Sequence, residues 1–197
     1  MPGLYVAPAT CPRNAPRLET ERLILREFRA DDIDAHSATL GDAEVMRFIG
    51  GKPLAREDAW RRMLGSIGMW QAIGIGAWAV ETKADGRLAG HCGFFDFQRA
   101  MQPDISGEPE MGWIFDRSVH GQGFAFEACT RALAWADEAL APESYPAIID
   151  LDNAPSMKLA ERLGFSRLSD AIYRDSAIAM FRRSLPASAT TATATAS

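Results

Sequence analysis

The sequence has 197 residues, of which 47% are hydrophobic and 24% charged, with a formal net charge of -5. The length and composition are those of one globular domain with its own core, and the acidic balance argues against a general nucleic-acid or membrane-surface binder, which would carry a basic excess. The cysteines at positions 11, 92 and 129 are odd in number and lack metal-ligand spacing, so we expect neither a disulfide scaffold nor a metal site.

Both ends of the chain have the composition of loose segments. Residues 1–16 are rich in proline, and residues 186–197 consist only of Pro, Ala, Ser and Thr, with too little apolar bulk to offset the cost of ordering. We therefore predict disorder at both ends and a folded domain over residues 17–185. Because the first residues lack the features of a signal peptide and no apolar run reaches membrane-spanning length, we expect a cytoplasmic protein.

The first half of the domain is predicted to hold a strand, three helical stretches and a hairpin. RLILREF has the alternation of a strand, and Asp31 and Asp32 are candidate N-caps of the first helix. Helical patterns follow at DAEVMRFI and at REDAWRRMLGSIGMW. GIGAWAVETK and LAGHCGFFDFQ are typical of two strands joined by a turn at ADGR.

The second half is predicted to alternate strands and helices. EMGWIF is a strand, and the helix after HGQG has a buried stripe of residues at helical spacing: Ala128, Ala132, Trp135, Ala136 and Ala139. AIIDL is typical of a strand inside a sheet, and NAPSMKLAERLG of a helix that Gly164 terminates. FSRLSDAIYR and AIAMFRRSL follow as two strands, so the order predicts a mixed α/β sandwich rather than a βαβ repeat.

Two glycines, Gly121 and Gly123, separate the strand EMGWIF from the helix that follows. Residues without a side chain let a ligand approach the backbone. A P-loop would continue with Lys and Ser or Thr, whereas Phe124 and Ala125 follow here, and a dinucleotide motif would need a third glycine. Two interpretations stay open: a turn with a purely structural role, and a pyrophosphate held by free N–H groups at the helix start.

Three segments together resemble the GNAT acyltransferases. HGQGFAFEA is similar to the acyl-CoA-binding signature of the family, and most of all to the branch of the RimJ and RimL ribosomal-protein N-terminal acetyltransferases. DNAPSMKLAERLGF is similar to a second segment of that branch, which has equivalents of Asp152, Asn153, Ser156, Glu161, Gly164 and Phe165. LETERLILREFRADD resembles its first strand and helix cap. The resemblance covers most of residues 17–185.

This resemblance implies a fold and a cosubstrate. The fold would be a GNAT-like α/β structure: a central twisted mixed sheet, mostly antiparallel, with a splayed parallel pair formed by EMGWIF and AIIDL, flanked by helices. The cosubstrate would be acetyl-CoA, with no metal. The residues implied to bind it are Trp113, Ile114, Phe115, Gly121, Gln122, Gly123, Phe124, Ala125, Asn153, Ser156 and Lys158. The pantetheine arm would pair with the splayed strand as an added strand does.

The resemblance also implies candidate catalytic residues. Acyl transfer from a thioester to an amine needs a base, an oxyanion donor and an acid for the departing thiolate. Glu110 is the candidate base, and Ser156 and Tyr173 are rival acids. A backbone N–H, expected at Ile114, would face the thioester carbonyl. Alternatives without a catalytic or binding role stay open for three residues. Glu110 would be an exposed glutamate at a strand end, Ser156 an ordinary serine in a first helical turn, and Asn153 a helix N-cap.

The function that follows is transfer of an acetyl group from acetyl-CoA to a primary amine, either a protein N-terminus or a small molecule, by direct attack in a ternary complex. The alternative is a non-catalytic module of the same fold that binds or senses acyl-CoA. We expect no nucleic-acid or membrane partner. Strand edges and the C-terminal hairpin could support a homodimer.

Overall fold

A computed structural model describes residues 3–174 and 176–185 of the chain. Its strands are β1 (Leu18–Glu19), β2 (Leu23–Arg26), β3 (Ala77–Thr82), β4 (Leu88–Phe95), β5 (Glu110–Phe115), β6 (Ser144–Asp150), β7 (Ser166–Tyr173) and β8 (Ser176–Ser184). Its helices are α1 (Ile33–Gly41), α2 (Ala43–Met46), α3 (Arg56–Ile73), α4 (Phe124–Ala139) and α5 (Ala154–Arg162).

The strands form two antiparallel sheets with a gap between them. The first sheet has the order β1-β2-β3-β4-β5 and the second the order β6-β8-β7. β5 and β6 lie next to each other at the facing edges of the two sheets, without belonging to one ladder. The expected mixed, mostly antiparallel architecture flanked by helices is confirmed, and the gap lies where a splayed strand pair was predicted.

The two faces of β5 belong to different parts of the core. Successive side chains of a strand point to opposite faces. Met111, Trp113 and Phe115 pack in the large core that includes α4. Ile114 packs against a smaller cluster formed by α1, α2 and α3. The side chain of Glu110, which is even-numbered like Ile114, therefore lies on the face opposite α4.

Small residues let α4 approach the first sheet closely. Of the predicted stripe, Ala128, Ala132 and Ala136 are fully buried, and Trp135 and Ala139 pack at its margin. Trp135 packs edge to face against Trp78 of β3, with ring centroids 5.1 Å apart. This packing fixes the position of α4, whose first residue follows β5 after a short loop.

The structure corrects the predicted start of the first helix. The Asp32 side chain does not cap α1. Instead it accepts hydrogen bonds from the Arg29 N–H at 2.7 Å and from two nitrogens of Arg26 at 2.7 and 2.8 Å. Because the Arg26 charge lies so close, the carboxylate is held by an ion pair, and a 3₁₀ turn over Ala30–Asp32 precedes the helix.

Residues 3–16 pack against the domain, which corrects the expectation of a loose N-terminal segment. Ala7, Cys11 and Ala15 are buried. Hydrogen bonds join the Ala7 N–H to the Ile73 carbonyl, the Trp78 indole N–H to the Pro16 carbonyl and the Cys11 thiol to the Ala139 carbonyl. The proline-rich composition suggested a loose segment, and the few small side chains that are buried gave no signal in the sequence. The predicted tail at residues 186–197 lies outside the described residues.

Candidate functional site

The loop between β5 and α4 is held by side chains that bond to its backbone. Asp116 accepts a hydrogen bond from the Ser118 N–H at 2.9 Å. The His120 ring forms a hydrogen bond with the Phe115 carbonyl, with Nε2 3.0 Å from the oxygen. His120 therefore fixes the loop.

The start of α4 presents a row of backbone N–H groups without acceptors. Gly121 and Gly123 have φ angles of 74° and 79°, in the left-handed region that glycine adopts without strain. The N–H groups of Gly121 and of residues 123–126 bond to no residue in the described ranges. A Cβ atom at Gly121 would meet nothing within 4 Å, so the space beside the loop is open. Free N–H donors and the helix dipole are the two features with which a helix N-terminus can bind an anion.

An arginine from the N-terminal part of the sequence, Arg22, borders this loop. Arg22 Nη1 donates to the Gln122 carbonyl at 3.0 Å, and its guanidinium lies 4.4 Å from the Phe124 ring centroid. Glu127 orients Arg22 by accepting from its backbone N–H at 2.9 Å and from Nε at 2.6 Å. The Arg22 charge is thus paired with Glu127, and the ion pair supports the loop from its side.

The start of α5 adds further polar groups near α4. Asn153 caps the helix, because its Oδ1 accepts from the Ser156 N–H at 3.2 Å. The Ser156 hydroxyl bonds to no residue that the structure describes. Lys158 is exposed, and Arg162 lies 4.1 Å from the Phe126 ring centroid of α4.

The register of β5 decides which of its backbone groups face the gap. In an antiparallel ladder, hydrogen-bonded pairs alternate with pairs whose N–H and C=O groups point away. The Asp116 N–H donates to the Ala89 carbonyl at 2.8 Å, and two residues along the ladder Ile114 pairs with His91. The backbone of Ile114 is therefore bonded to β4.

This alternation corrects the expected role of the Ile114 N–H. The outward-facing backbone groups belong to Met111, Trp113 and Phe115, and the Phe115 carbonyl accordingly reaches His120. The backbone groups of Trp113 and the N–H of Phe115 therefore point away from β4, towards the gap. The backbone groups of Ile114 do not.

Glu110 forms a buried ion pair on the face opposite α4. Arg99 donates to both carboxylate oxygens, through Nε at 2.6 Å and Nη2 at 2.9 Å. Glu110 is only 6% exposed, and burial raises the pKa of its carboxyl, against the opposing effect of Arg99. Each carboxylate oxygen keeps a further lone pair, so Glu110 can still accept a hydrogen bond.

Tyr173 lies beside the same arginine. The guanidinium carbon of Arg99 is 4.8 Å from the Tyr173 ring centroid, and that of Arg174 is 5.3 Å away. The structure therefore brings Glu110 and Tyr173 together through Arg99. Ser156 lies at the start of α5, whose apolar residues pack in the large core.

Sequence reasoning missed Arg22 and Arg99. Arg22 lies in a segment that was noted, but its partner Glu127 is 105 residues away, so no local spacing links them. Arg99 lies in a polar loop 11 residues before Glu110. Its positive charge was the only feature of the sequence that could have indicated a functional role.

Residues 3–174 and 176–185 contain neither a metal-binding cluster nor a membrane-spanning helix. No group of His, Cys, Asp and Glu side chains there has the arrangement of a metal site. None of the helices in these ranges is both long and apolar enough to span a bilayer.

The family follows from a comparison with known domains. Residues 22–166 match the family model of the acetyltransferase (GNAT) domain. The chain belongs to the GNAT acetyltransferase family. It is therefore an acyltransferase, and the family resemblance drawn from its motifs is confirmed.

Individual relatives agree with this assignment. The chain is 28% identical over 159 residues to an uncharacterized N-acetyltransferase, p20, of Bacillus licheniformis, covering 80% of this chain and 85% of p20. A GnaT-family acetyltransferase structure from Bordetella pertussis shares 29% identity with a TM-score of 0.76, over 86% of this chain and 100% of that one. RimL, a ribosomal L7/L12 α-N-protein acetyltransferase in complex with coenzyme A, shares the fold with a TM-score of 0.69 at 16% identity, over 86% and 98% of the chains.

Proposed function

We propose that this GNAT protein transfers an acetyl group from acetyl-CoA to a primary amine by direct attack in a ternary complex. The observation that carries the proposal is the gap between β5 and β6, with free N–H groups of α4 on one face and the Glu110–Arg99 pair on the other. The coenzyme A bound by RimL supports acetyl-CoA as cosubstrate. The motifs and the RimL fold also favour the RimJ/RimL-like branch, with a protein N-terminus or a small-molecule amine as acceptor.

The cofactor side of the gap suits a molecule with two phosphates and a polar arm. The diphosphate would accept hydrogen bonds from the N–H groups of Gly121 and residues 123–126, with Gln122 at the centre of the loop. Lys158 would approach the 3′-phosphate. The pantetheine arm would bond to the free edge of β5 at Trp113 and Phe115, and Asn153 would contact the arm while still capping α5.

The proposed reaction needs a base for the amine, a donor for the oxyanion and an acid for the departing thiolate. We assign Glu110 as the base, because burial raises its pKa above the ordinary value, and a raised pKa makes a carboxylate a better proton acceptor. The outward N–H of Trp113 would stabilise the tetrahedral oxyanion. Ser156, whose hydroxyl is unengaged among the described residues, would protonate the departing thiolate, with Tyr173 as the rival donor.

The cellular compartment and the oligomeric state of the protein are part of the same proposal. Its three cysteines are buried free thiols, which suits a reducing compartment such as the cytoplasm. A homodimer would use β7, an edge strand on which Leu168 and Ile172 are exposed.

Thermal unfolding with ligands tests the proposal. Acetyl-CoA at a hundred times its Kd should stabilise the protein by about 2.7 kcal/mol, which for a domain of this size is a rise of roughly 5–10 °C in Tm. NAD and ATP should not raise the Tm, since neither molecule has the pantetheine arm that is proposed to pair with β5. Equal shifts with all three ligands would contradict the proposal. A shift with acetyl-CoA but no thiol release with any amine would favour the sensing module.

A further inference from the structure

The Arg22 side chain connects the first sheet to the loop before α4. Arg22 lies between β1 and β2. Its Nη1 donates to the Gln122 carbonyl at 3.0 Å, and its guanidinium lies 4.4 Å from the ring centroid of Phe124, the first residue of α4. Arg22 therefore holds a main-chain atom of the loop in which the proposed diphosphate donors begin.

Glu127 fixes the Arg22 side chain in this position. Its carboxylate accepts a hydrogen bond from Arg22 Nε at 2.6 Å and forms an ion pair with Nη2 at the same distance. The same carboxylate accepts from the Thr20 hydroxyl at 2.6 Å and from the Arg22 N–H at 2.9 Å. The guanidinium is therefore bonded on two sides, to a carboxylate and to a carbonyl of the loop.

The other polar groups of Gln122 bond within the loop. Its N–H donates to the Val119 carbonyl at 3.4 Å, and its side-chain amide donates to the Ser118 carbonyl at 2.7 Å. Among the described residues, Arg22 is the one bonding partner of Gln122 that lies outside this loop. The orientation of the Gln122 carbonyl therefore depends on Arg22.

The bond from Arg22 determines which way the next N–H group points. In a planar trans peptide, the carbonyl of one residue and the N–H of the following residue point in opposite directions. Since its carbonyl is bonded to Arg22, the trans peptide between Gln122 and Gly123 directs the Gly123 N–H away from Arg22. This N–H bonds to no residue in the described ranges, and it is one of the donors that we assign to the diphosphate.

The glycine at position 123 makes such a restraint useful. Glycine adopts positive and negative φ angles with similar ease, so the peptide that precedes it can rotate at little steric cost. Rotation of the peptide between Gln122 and Gly123 would direct the carbonyl towards the diphosphate and the N–H away from it. Because a carbonyl oxygen repels a phosphate, the orientation of this peptide decides whether the loop can bind one.

We propose that Arg22, held by Glu127, is a positioning residue for acetyl-CoA, which fixes the peptide between Gln122 and Gly123 so that the Gly123 N–H faces the diphosphate. This inference rests on the proposed function and adds a residue that acts through the loop. Arg22 differs from an arginine that attracts a phosphate by its charge, because that charge is already paired with Glu127.

Calorimetric titration of Arg22 variants with acetyl-CoA tests the positioning role. Arg22→Met should raise the Kd about tenfold, the factor expected when the binding orientation of the loop falls to about a tenth of the population. Arg22→Lys keeps the charge but lacks the fork that bonds a carboxylate and a carbonyl together, so most of the loss should persist. Full affinity in Arg22→Lys overturns the inference, since charge alone would then suffice.

Arg87→Met is the matched control for these variants. Arg87 Nη1 donates to a side chain of the same loop, Ser118 Oγ, at 2.9 Å rather than to the main chain. Its replacement should leave the Kd for acetyl-CoA unchanged. A loss equal to that of Arg22→Met would overturn the inference, because any arginine beside the loop would then have the same effect.

Glu127→Gln distinguishes positioning from direct attraction by the sign of its effect. If Arg22 attracted a phosphate by its charge, removal of the Glu127 charge would strengthen acetyl-CoA binding. Positioning requires the opposite, because Arg22 loses the carboxylate that holds it. The double variant Arg22→Met/Glu127→Gln should have the same Kd as Arg22→Met, since both residues act through one bond to the loop. Tighter binding by Glu127→Gln, or additive losses in the double variant, overturns the inference.

A measurement on the ligand-free protein separates this inference from the proposed function. A hydrogen bond to its oxygen deshields a carbonyl carbon, so the ¹³C resonance of the Gln122 carbonyl should move upfield in Arg22→Met and stay in place in Arg87→Met. An unmoved resonance, or an unchanged Kd in Arg22→Met, overturns the positioning role and leaves acetyl transfer intact. If the wild-type protein does not bind acetyl-CoA, the proposed function is overturned, and the positioning role is overturned with it.

Discussion

The two faces of the β5–β6 gap are built from different parts of the polypeptide. On the α4 face, the proposed binding groups are main-chain N–H groups of one short stretch, at Gly121 and residues 123–126. On the opposite face, they are the side chains of Arg99, Glu110 and Tyr173, which come from three separate segments. A site made from contiguous backbone leaves a compact motif in the sequence. A site assembled from distant side chains leaves none.

The largest effect is expected on the acceptor face, from Glu110→Gln. Removal of a general base costs about 10²- to 10⁴-fold in kcat, while acetyl-CoA affinity should be unchanged because the free N–H groups lie on the other face. Burial raises the Glu110 pKa, and only the deprotonated carboxylate accepts a proton. Wild-type kcat should therefore fall as the pH drops through that pKa, and the variant should lose this limb of the pH profile.

A second glutamate serves as the control for this measurement. Glu108 lies just before β5 and bonds to Arg182 and Ser144 rather than to Arg99. Glu108→Gln should leave kcat and its pH profile unchanged. Equal kcat values for the two variants would remove Glu110 from the mechanism and leave it as an anchor for Arg99.

The next effect is expected on the cofactor face, from Gly121→Val. A valine side chain would fill the open space beside the loop and cost a charge-assisted hydrogen bond to the diphosphate, about 10- to 100-fold in the Kd for acetyl-CoA. The left-handed φ of 74° also strains valine. Gly164→Val, at a φ of 87°, carries the same strain beyond α5 and should lose stability without losing affinity. Calorimetric titration of both variants distinguishes the two causes.

The smallest effect is expected at the start of α5. Ser156→Ala removes a hydroxyl but keeps the backbone N–H that Asn153 caps, so the fold and the acetyl-CoA affinity should persist. We expect a loss of about tenfold in kcat, since thiolate protonation aids an already good leaving group. Tyr173→Phe is measured beside it. Whichever variant is kinetically silent is excluded as the proton donor.

The order of elements and the position of the loop before α4 could be predicted because local signals define them. The apolar run EMGWIF coincides with β5, and the two glycines announced the loop before α4. The direction of the Ile114 N–H could not be predicted, since it depends on the register with β4, which a strand's own sequence does not specify. Asp32 failed as an N-cap for a similar reason, because its partner Arg26 lies on a preceding strand.

The packed N-terminal segment has a practical consequence for anyone who expresses part of this protein. Cutting the chain at the limits of the family match, residues 22–166, would strip away residues 3–16 together with the β7–β8 hairpin. The indole N–H of Trp78 would lose the Pro16 carbonyl, and a buried donor left without an acceptor costs about 1–3 kcal/mol. β6 would at the same time lose its only ladder partner among the described strands. Recombinant boundaries are better drawn from interior packing than from similarity.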